Sequence, residues 1–188
     1  MVKTTRLWRA SRSAAIRLLP LGAAALLAGC AAMSVEECRT ADWREQGMRD
    51  ALAGKARSHF EDIREACAEA GVVPRAPQYW EGWSRGIYQF CTPANGARWG
   101  REGRSYENSC PPEIEAGFTS RYRDGRRAWD AEQNLRRLQN DQRSKQRDLD
   151  NAKDDATRNR LRNDLRDMDW RLRSARDDLD RAEYQLRY

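Results

Sequence analysis

The last third of the chain, residues 126–188, contains neither glycine nor proline, and this limits how the chain can fold. Its basic and acidic side chains are interleaved and nearly balanced. A stretch of this length without helix breakers is typical of long helix. Apolar positions recur every three or four residues in two series, which are heptad seams of the coiled-coil type. The first series is Ala131, Leu135, Leu138, Gln142, Lys145, Leu149, Ala152 and Ala156, and the second is Leu161, Leu165, Met168, Leu172, Ala175, Leu179, Ala182 and Leu186.

The two seams are out of phase between Ala156 and Leu161, so they cannot share one straight stripe. A break at 154–157, with Asp154 or Asp155 as the N-cap of the second arm, predicts an antiparallel helical hairpin. A parallel coiled coil between two copies, distorted at the phase break, is one alternative. A solvated single helix or a partly disordered tail is another, because the first seam contains two polar residues.

The N-terminus has the organisation of a secretory signal. Residues 1–17 carry five basic side chains and no acid, and an apolar run of eleven residues follows, Leu18–Ala28. This run is far shorter than the ~20 residues that span a bilayer as a helix. A basic segment followed by a short apolar run indicates a secretory signal. Pro20 and Gly22 disfavour the alternative of a mitochondrial presequence.

The sequence Leu27-Ala28-Gly29-Cys30 resembles the lipobox of bacterial lipoproteins. The resemblance implies that residues 1–29 are removed and that Cys30 is lipidated, with acyl chains such as palmitate. Because Ala31 rather than an aspartate follows, it also implies an outer-membrane lipoprotein facing the periplasm. The alternative is ordinary signal cleavage near Ala31 or Ala32, with Cys30 lost or left free.

Removal of the signal changes the charge balance. The whole chain has a net charge of +6, and the signal contains five of its basic residues. The remaining 30–188 segment is close to neutral, and its acids match its arginines. The composition therefore disfavours nucleic acid as a partner.

Four cysteines remain in the segment that would enter an oxidising compartment, and an even number there indicates two disulfides. Three pairings exist; we favour the most local one, Cys38–Cys67 with Cys91–Cys110. A zinc site is disfavoured because there is no C-x-x-C motif and His59 is the only histidine. We expect no metal and no cofactor.

The region before the tail, 30–125, predicts a small all-α domain stabilised by disulfides. A core of this size is marginal without such cross-links. Capping-box patterns at Ser34–Glu37 and Ser58–Glu61 predict helices that end before Gly54 and Gly71. A third helix is expected from Pro77 to Phe90, the sequence CTPANG at 91–96 is expected to be a turn, and a further helix follows Pro111-Pro112.

Glycines and aromatic residues alternate at helical spacing throughout this domain. Glycine inside a helix costs about 1 kcal/mol relative to alanine, so it should serve a purpose. We interpret the glycines as notches for close helix packing. The other interpretation is an aromatic pocket for a glycan or a peptide, lined by Trp43, Trp80, Trp83 and Trp99.

These residues together resemble the bacterial lipoproteins that carry domain of unknown function 2799, over Cys38 to Gly125. The resemblance rests on Cys38, Asp42, Trp43, Gly47, Asp50, Gly54, Cys67, Gly71, Tyr79, Gly82, Gly86, Tyr88, Cys91, Asn95, Gly96, Gly100, Gly103, Tyr106, Cys110, Pro111, Phe118, Tyr122 and Gly125. Ala51 stands where the family commonly has a glycine, and Phe90 where a tyrosine is more usual. The family implies a location and a shape but no chemistry.

No catalytic motif for acyl, phosphoryl or metal-assisted chemistry occurs in the sequence, and we expect no enzyme. Asp50, within the glycine-aromatic set, is the acid with the best chance of a special role, and a structural hydrogen bond is the favoured one. The predicted function is a lipid-anchored scaffold or adaptor that contacts itself or an envelope protein through 126–188. The alternative is a binding module for peptidoglycan or a peptide.

Overall fold

The computed structural model describes residues 32–187, and every regular element in that range is helical. An all-α fold is therefore confirmed for this part of the chain. Residues 1–31 and 188 lie outside it, so the predicted signal segment and the predicted lipidation site Cys30 do too. The helices are α1 (Val35–Thr40), α2 (Trp43–Leu52), α3 (His59–Glu69), α4 (Ala76–Phe90), α5 (Pro93–Arg101), α6 (Pro112–Asn151) and α7 (Asp155–Arg187).

Local capping signals decide most helix ends. Ser34 and Glu37 form the expected capping box at the start of α1. Gly54 and Gly71 follow α2 and α3 with φ of 75° and 67°, the left-handed region that glycine tolerates best. Ser58 precedes α3, but its side chain makes no cap hydrogen bond, so the second capping box is absent.

Two of the expected helix boundaries are wrong. The single first helix ending at Ala53 is divided into α1 and α2, because the Asp42 carboxylate accepts hydrogen bonds from the backbone N–H groups of Arg44 and Glu45 and starts a new helix. The CTPANG segment at 91–96, expected to be a turn, contains the start of helix α5. The Thr92 hydroxyl accepts from the Asn95 N–H, and Pro93 begins α5.

Helices α2 and α4 pack with their backbones in contact. A Cβ atom at Gly47 would overlap the carbonyl oxygen of Tyr79, and one at Gly82 would overlap that of Arg44. Gly86 is similarly close to Met48 and Ala51. The glycines are therefore packing notches in this helix pair, as expected from the sequence.

Helices α5 and α6 repeat the same arrangement. Tyr79, Trp83 and Gly86 of α4 correspond, at one constant offset, to Phe118, Tyr122 and Gly125 of α6. Gly47, Ala51 and Gly54 correspond in the same way to Gly96, Gly100 and Gly103. Equivalent contacts recur in both pairs: the Trp83 Nε1 donates to the Lys55 carbonyl and the Tyr122 hydroxyl to the Arg104 carbonyl. The domain thus consists of two similar glycine-packed helix pairs.

Two disulfides tie the remaining segments to these pairs. Cys38–Cys67 joins α1 to α3, with the Cα atoms 5.5 Å apart, and Cys91–Cys110 joins the end of α4 to the segment before α6, with the Cα atoms 5.7 Å apart. These are the two pairs that the sequence favoured. Each cross-link contributes about 3 kcal/mol by restricting the unfolded chain in the chain-entropy account.

The tail is an antiparallel hairpin of α6 and α7, as expected. The chain turns between Asn151 and Asp155, and Asp154 accepts a hydrogen bond from the Thr157 N–H, 2.7 Å away. Leu138, Met168, Leu172 and Ala175 form the buried core of the hairpin. The polar residues of the first seam are paired across it: Gln142 donates to Asp169, and Lys145 lies 2.8 Å from Asp164. Helix α6 passes without a break through the expected domain boundary at 125/126.

The base of the hairpin is fastened to the second helix pair by charged side chains. Arg101 of α5 contacts Glu132 of α6 at 2.6 Å and Glu183 of α7 at 2.7 Å. Arg121 donates to the carbonyl oxygens of Gln185 and Leu186 at the end of α7. Hydrogen bonds from Arg101 and Arg136 hold the pKa of Glu132 below its usual value. Both arms are thus held to α5 as well as to each other.

The glycine notches can be tested with a matched pair of substitutions. Gly82→Ala forces α2 and α4 apart, and we expect it to lower the free energy of unfolding by about 3 kcal/mol. Gly117→Ala in α6 places a Cβ only against the Pro93 ring, at 3.4 Å. Because alanine favours helix over glycine, this substitution should raise the free energy of unfolding by up to about 1 kcal/mol. Urea denaturation followed by circular dichroism measures both. Equal effects of the two substitutions would show that backbone contact is not what Gly82 provides.

Candidate functional site

The four tryptophans predicted to line one binding site are not gathered into one. Trp43, Trp83 and Trp99 are buried and line three different cavities. Only Trp80 and Trp83 are neighbours, with ring centroids 5.9 Å apart. All four rings pack in or against the main core.

Asp50 lies in the core beside Tyr79. The Tyr79 hydroxyl donates to one carboxylate oxygen at 2.9 Å, and the Gln46 amide donates to the other at 2.9 Å. Burial and the neighbouring carboxylate raise the pKa of Tyr79 above its ordinary value. Both oxygens of Asp50 are therefore engaged, one by Tyr79 of α4 and the other by Gln46 of the same helix, α2. His59 contacts Asp62 on the same helix, at 3.3 Å.

A first candidate site is a cavity of about 290 Å³ beside Trp83 and the segment Asn108–Pro112. The Arg57 guanidinium covers it, 4.5 Å from the Trp80 ring centroid and 5.2 Å from that of Trp83. Arg57 has no ion pair among residues 32–187. The Ser109 hydroxyl in the cavity wall is buried and without a hydrogen-bond partner there. We call this the Arg57 cavity.

A second candidate is a polar cleft of about 540 Å³ near the end of α1 and the start of α2, which we call the N-terminal cleft. Its wall includes Arg39, Arg44 and Arg75, together with Asp42 and Val73. The Arg44 guanidinium is paired with Glu81 at 2.7 Å. Arginine is suited to phosphate and carboxylate because its planar donors engage two oxygens at once.

A third candidate is the outer surface of α7. Trp170 is 65% exposed, on the side of the helix opposite the seam residues Met168, Leu172 and Ala175. Helical spacing places Arg166 and Arg173 next to Trp170. We call these three residues the Trp170 face. A large exposed aromatic ring flanked by arginine has the composition of protein interaction hot spots.

Residues 42–127 match the family model described as Protein of unknown function (DUF2799). This part of the chain is similar to the DUF2799 family, and we call residues 42–127 the DUF2799 domain. The match begins at the N-cap of α2 and ends two residues after Gly125, so the DUF2799 domain coincides with the two glycine-packed helix pairs. Neither the curated proteins nor the solved structures gave a match to the chain. No described helix is long and apolar enough to cross a membrane, and residues 32–187 contain no group of three potential metal-ligating side chains.

Sequence reasoning missed Arg57, Ser109 and Trp170. Trp170 could have been found, because counting along the second seam places it on the outer side of α7. Arg57 and Ser109 could not, since they are far apart in sequence and meet only through the fold.

The role of Asp50 can be tested by two substitutions. Asp50→Ala leaves the buried Tyr79 hydroxyl without an acceptor, and we expect the free energy of unfolding to fall by about 2 kcal/mol. Asp50→Asn keeps an acceptor oxygen and should cost less than about 1 kcal/mol. Urea denaturation measures both. If the two variants are equally destabilised, the negative charge rather than the hydrogen bond is what the core requires.

Proposed function

We propose that this protein is a non-catalytic scaffold of the bacterial cell envelope, anchored through lipid on Cys30 to the outer membrane and facing the periplasm. The observation that carries the scaffold role is the continuity of α6, which runs from inside the DUF2799 domain to the tip of the hairpin. A hairpin joined in this way holds its outer surface in a fixed relation to the domain.

The hairpin has the dimensions of an extended arm. Helix α7 has 33 residues, a length of about 50 Å at 1.5 Å per residue. Its inner side is used by α6, while the Trp170 face is left for a partner. We propose that this face contacts an envelope protein or a second copy of the chain.

The hydrogen bonds and ion pairs of the buried and hairpin carboxylates support a non-catalytic role. Asp50, the acid singled out by the sequence, has both oxygens occupied in the core. Glu132 is bound by Arg101 and Arg136, and Asp164 by Lys145. These carboxylates stabilise helix contacts, which is consistent with a scaffold.

The partner surface can be tested by photo-crosslinking in living cells. A photoreactive residue at Arg166 or Arg173 should give one discrete adduct, identified by mass, and Trp170→Ala should abolish it. Trp170 is mostly exposed, so the helix content measured by circular dichroism should stay unchanged. Arg137, exposed on α6, is the control position and should give no such adduct. An adduct that survives Trp170→Ala, or no adduct at either site, would contradict the proposal.

Ligand binding by the domain is a second candidate, favoured by the Arg57 cavity. The guanidinium over two tryptophan rings and the unpaired Ser109 hydroxyl together suit a small carboxylate group. Such groups occur in peptidoglycan stem peptides and at peptide C-termini. In this role the DUF2799 domain would be a recognition module.

Binding of the full chain to isolated peptidoglycan separates the two functions. In the binding role, Arg57→Gln should weaken co-sedimentation about tenfold, because a charge-assisted hydrogen bond contributes roughly 1.5–3 kcal/mol. Arg64→Gln, on an exposed part of α3, is the matched control and should have no effect. No co-sedimentation of the unaltered chain, or equal losses in both variants, would contradict this role.

A further inference from the structure

The N-terminal cleft contains two arginines without a partner. Arg39 on α1 and Arg75 before α4 are both exposed, and neither guanidinium makes an ion pair, a hydrogen bond or a ring contact within residues 32–187. Most other arginines of the DUF2799 domain are paired, as Arg44 is with Glu81. Asp42, the acid in the cleft wall, accepts two backbone hydrogen bonds at the start of α2. Two positive charges are therefore available to an external anion.

An exposed apolar side chain lies beside these arginines. Val73 is 83% exposed, the highest value among the large hydrophobic residues of the described chain, and lines the same cleft. It occupies the α3–α4 loop between the positive-φ Gly71 and the buried Pro74, which hold the loop in shape. Val35, at the start of α1, is 44% exposed.

We propose that this surface binds a lipid bilayer: Arg39 and Arg75 contact the phosphates of anionic phospholipids, and Val73 enters the interface between headgroups and acyl chains. A free phosphate would satisfy the arginines but leave Val73 in water. A bilayer surface accommodates both, because basic and apolar side chains together are what interfacial binding requires.

The position of the surface along the chain supports this occupant. The inference rests here on the proposed lipid anchor at Cys30, two residues before the first described residue, Ala32. The five residues from Cys30 to the start of α1 at Val35 extend at most about 18 Å, and α1 adds about 9 Å at 1.5 Å per residue. The anchor would therefore hold the N-terminal cleft within reach of the headgroups. Three nearby acids oppose binding: Glu36 and Glu37, exposed on α1, and Asp42 in the cleft wall.

The test uses the mature chain from residue 30 with Cys30→Ser, so that no acyl chain contributes. Co-sedimentation is measured with vesicles of phosphatidylethanolamine and phosphatidylglycerol, and with vesicles of phosphatidylcholine alone. We expect binding to the anionic vesicles only, weakened by salt. Arg39→Gln with Arg75→Gln should lower the partition coefficient about 25-fold, about fivefold for each arginine near an anionic surface. Val73→Ser should lower it roughly tenfold.

The matched control is Arg147→Gln with Arg160→Gln, two exposed hairpin arginines outside the Trp170 face that give the same change in net charge. It should leave the partition coefficient unchanged. Equal binding to phosphatidylcholine, no binding to either vesicle, or equal losses in both double variants would overturn the inference. Competition by inorganic phosphate at low concentration, without an effect of Val73→Ser, would also overturn it in favour of a soluble anion.

The anchor is tested separately by fractionation of cells that express the unaltered chain or Cys30→Ser, and by the mass of the mature N-terminal peptide. An acylated peptide without vesicle binding would support the lipid anchor and contradict the inferred binding of the N-terminal cleft to the bilayer. Vesicle binding without acylation would support the binding of the cleft and contradict the lipid anchor.

Discussion

The fold depends on two places where helix backbones touch without intervening side chains. At the α2–α4 crossing, Gly47 and Gly82 each face a carbonyl oxygen of the other helix, and Gly96 and Gly125 do the same at the α5–α6 crossing. Such an approach leaves no space for a Cβ at these four positions. It fixes the rotation of each helix as well as its distance, because only the glycine side of the helix can face its partner. In a domain this small, that constraint supplements a core that is too limited to specify one arrangement alone.

The aromatic residues follow from the same constraint. With the backbones in contact, bulky rings can be placed only above and below each crossing. Phe90 covers Gly54 and Trp129 covers Gly103 at the helix ends, while Trp83 and Tyr122 reach carbonyl groups of the turn beyond. The tryptophans that suggested a binding pocket therefore belong to the packing. Composition alone cannot separate these two uses of an aromatic residue, since both place rings next to glycine.

Local signals in the sequence predict many of the helix ends and the hairpin. The predictions that were wrong have physical causes. The positive-φ glycines, the capping box at Ser34 and the phase break before Leu161 each act within a few residues, so they could be predicted. The start of α5 was misjudged because Thr-Pro suits a turn and a helix N-terminus equally well. Gln142 and Lys145 weakened the first seam in the sequence, yet in the hairpin each meets an acid of α7 that only the antiparallel register brings there.

Comparison of the two helix pairs indicates at which positions helix packing does not explain the type of residue. The position equivalent to Arg57 in the second pair is Tyr106, which packs on Phe118 and Tyr122 and fills the space with a ring. In the first pair the same space is covered by a guanidinium that packing does not require. Packing explains a ring at this position, as it does the glycines, but it does not explain the charge of Arg57. The same holds for Trp170, Arg39 and Arg75, which lie outside both crossings and stabilise neither, so their chemistry is available for contacts beyond the chain.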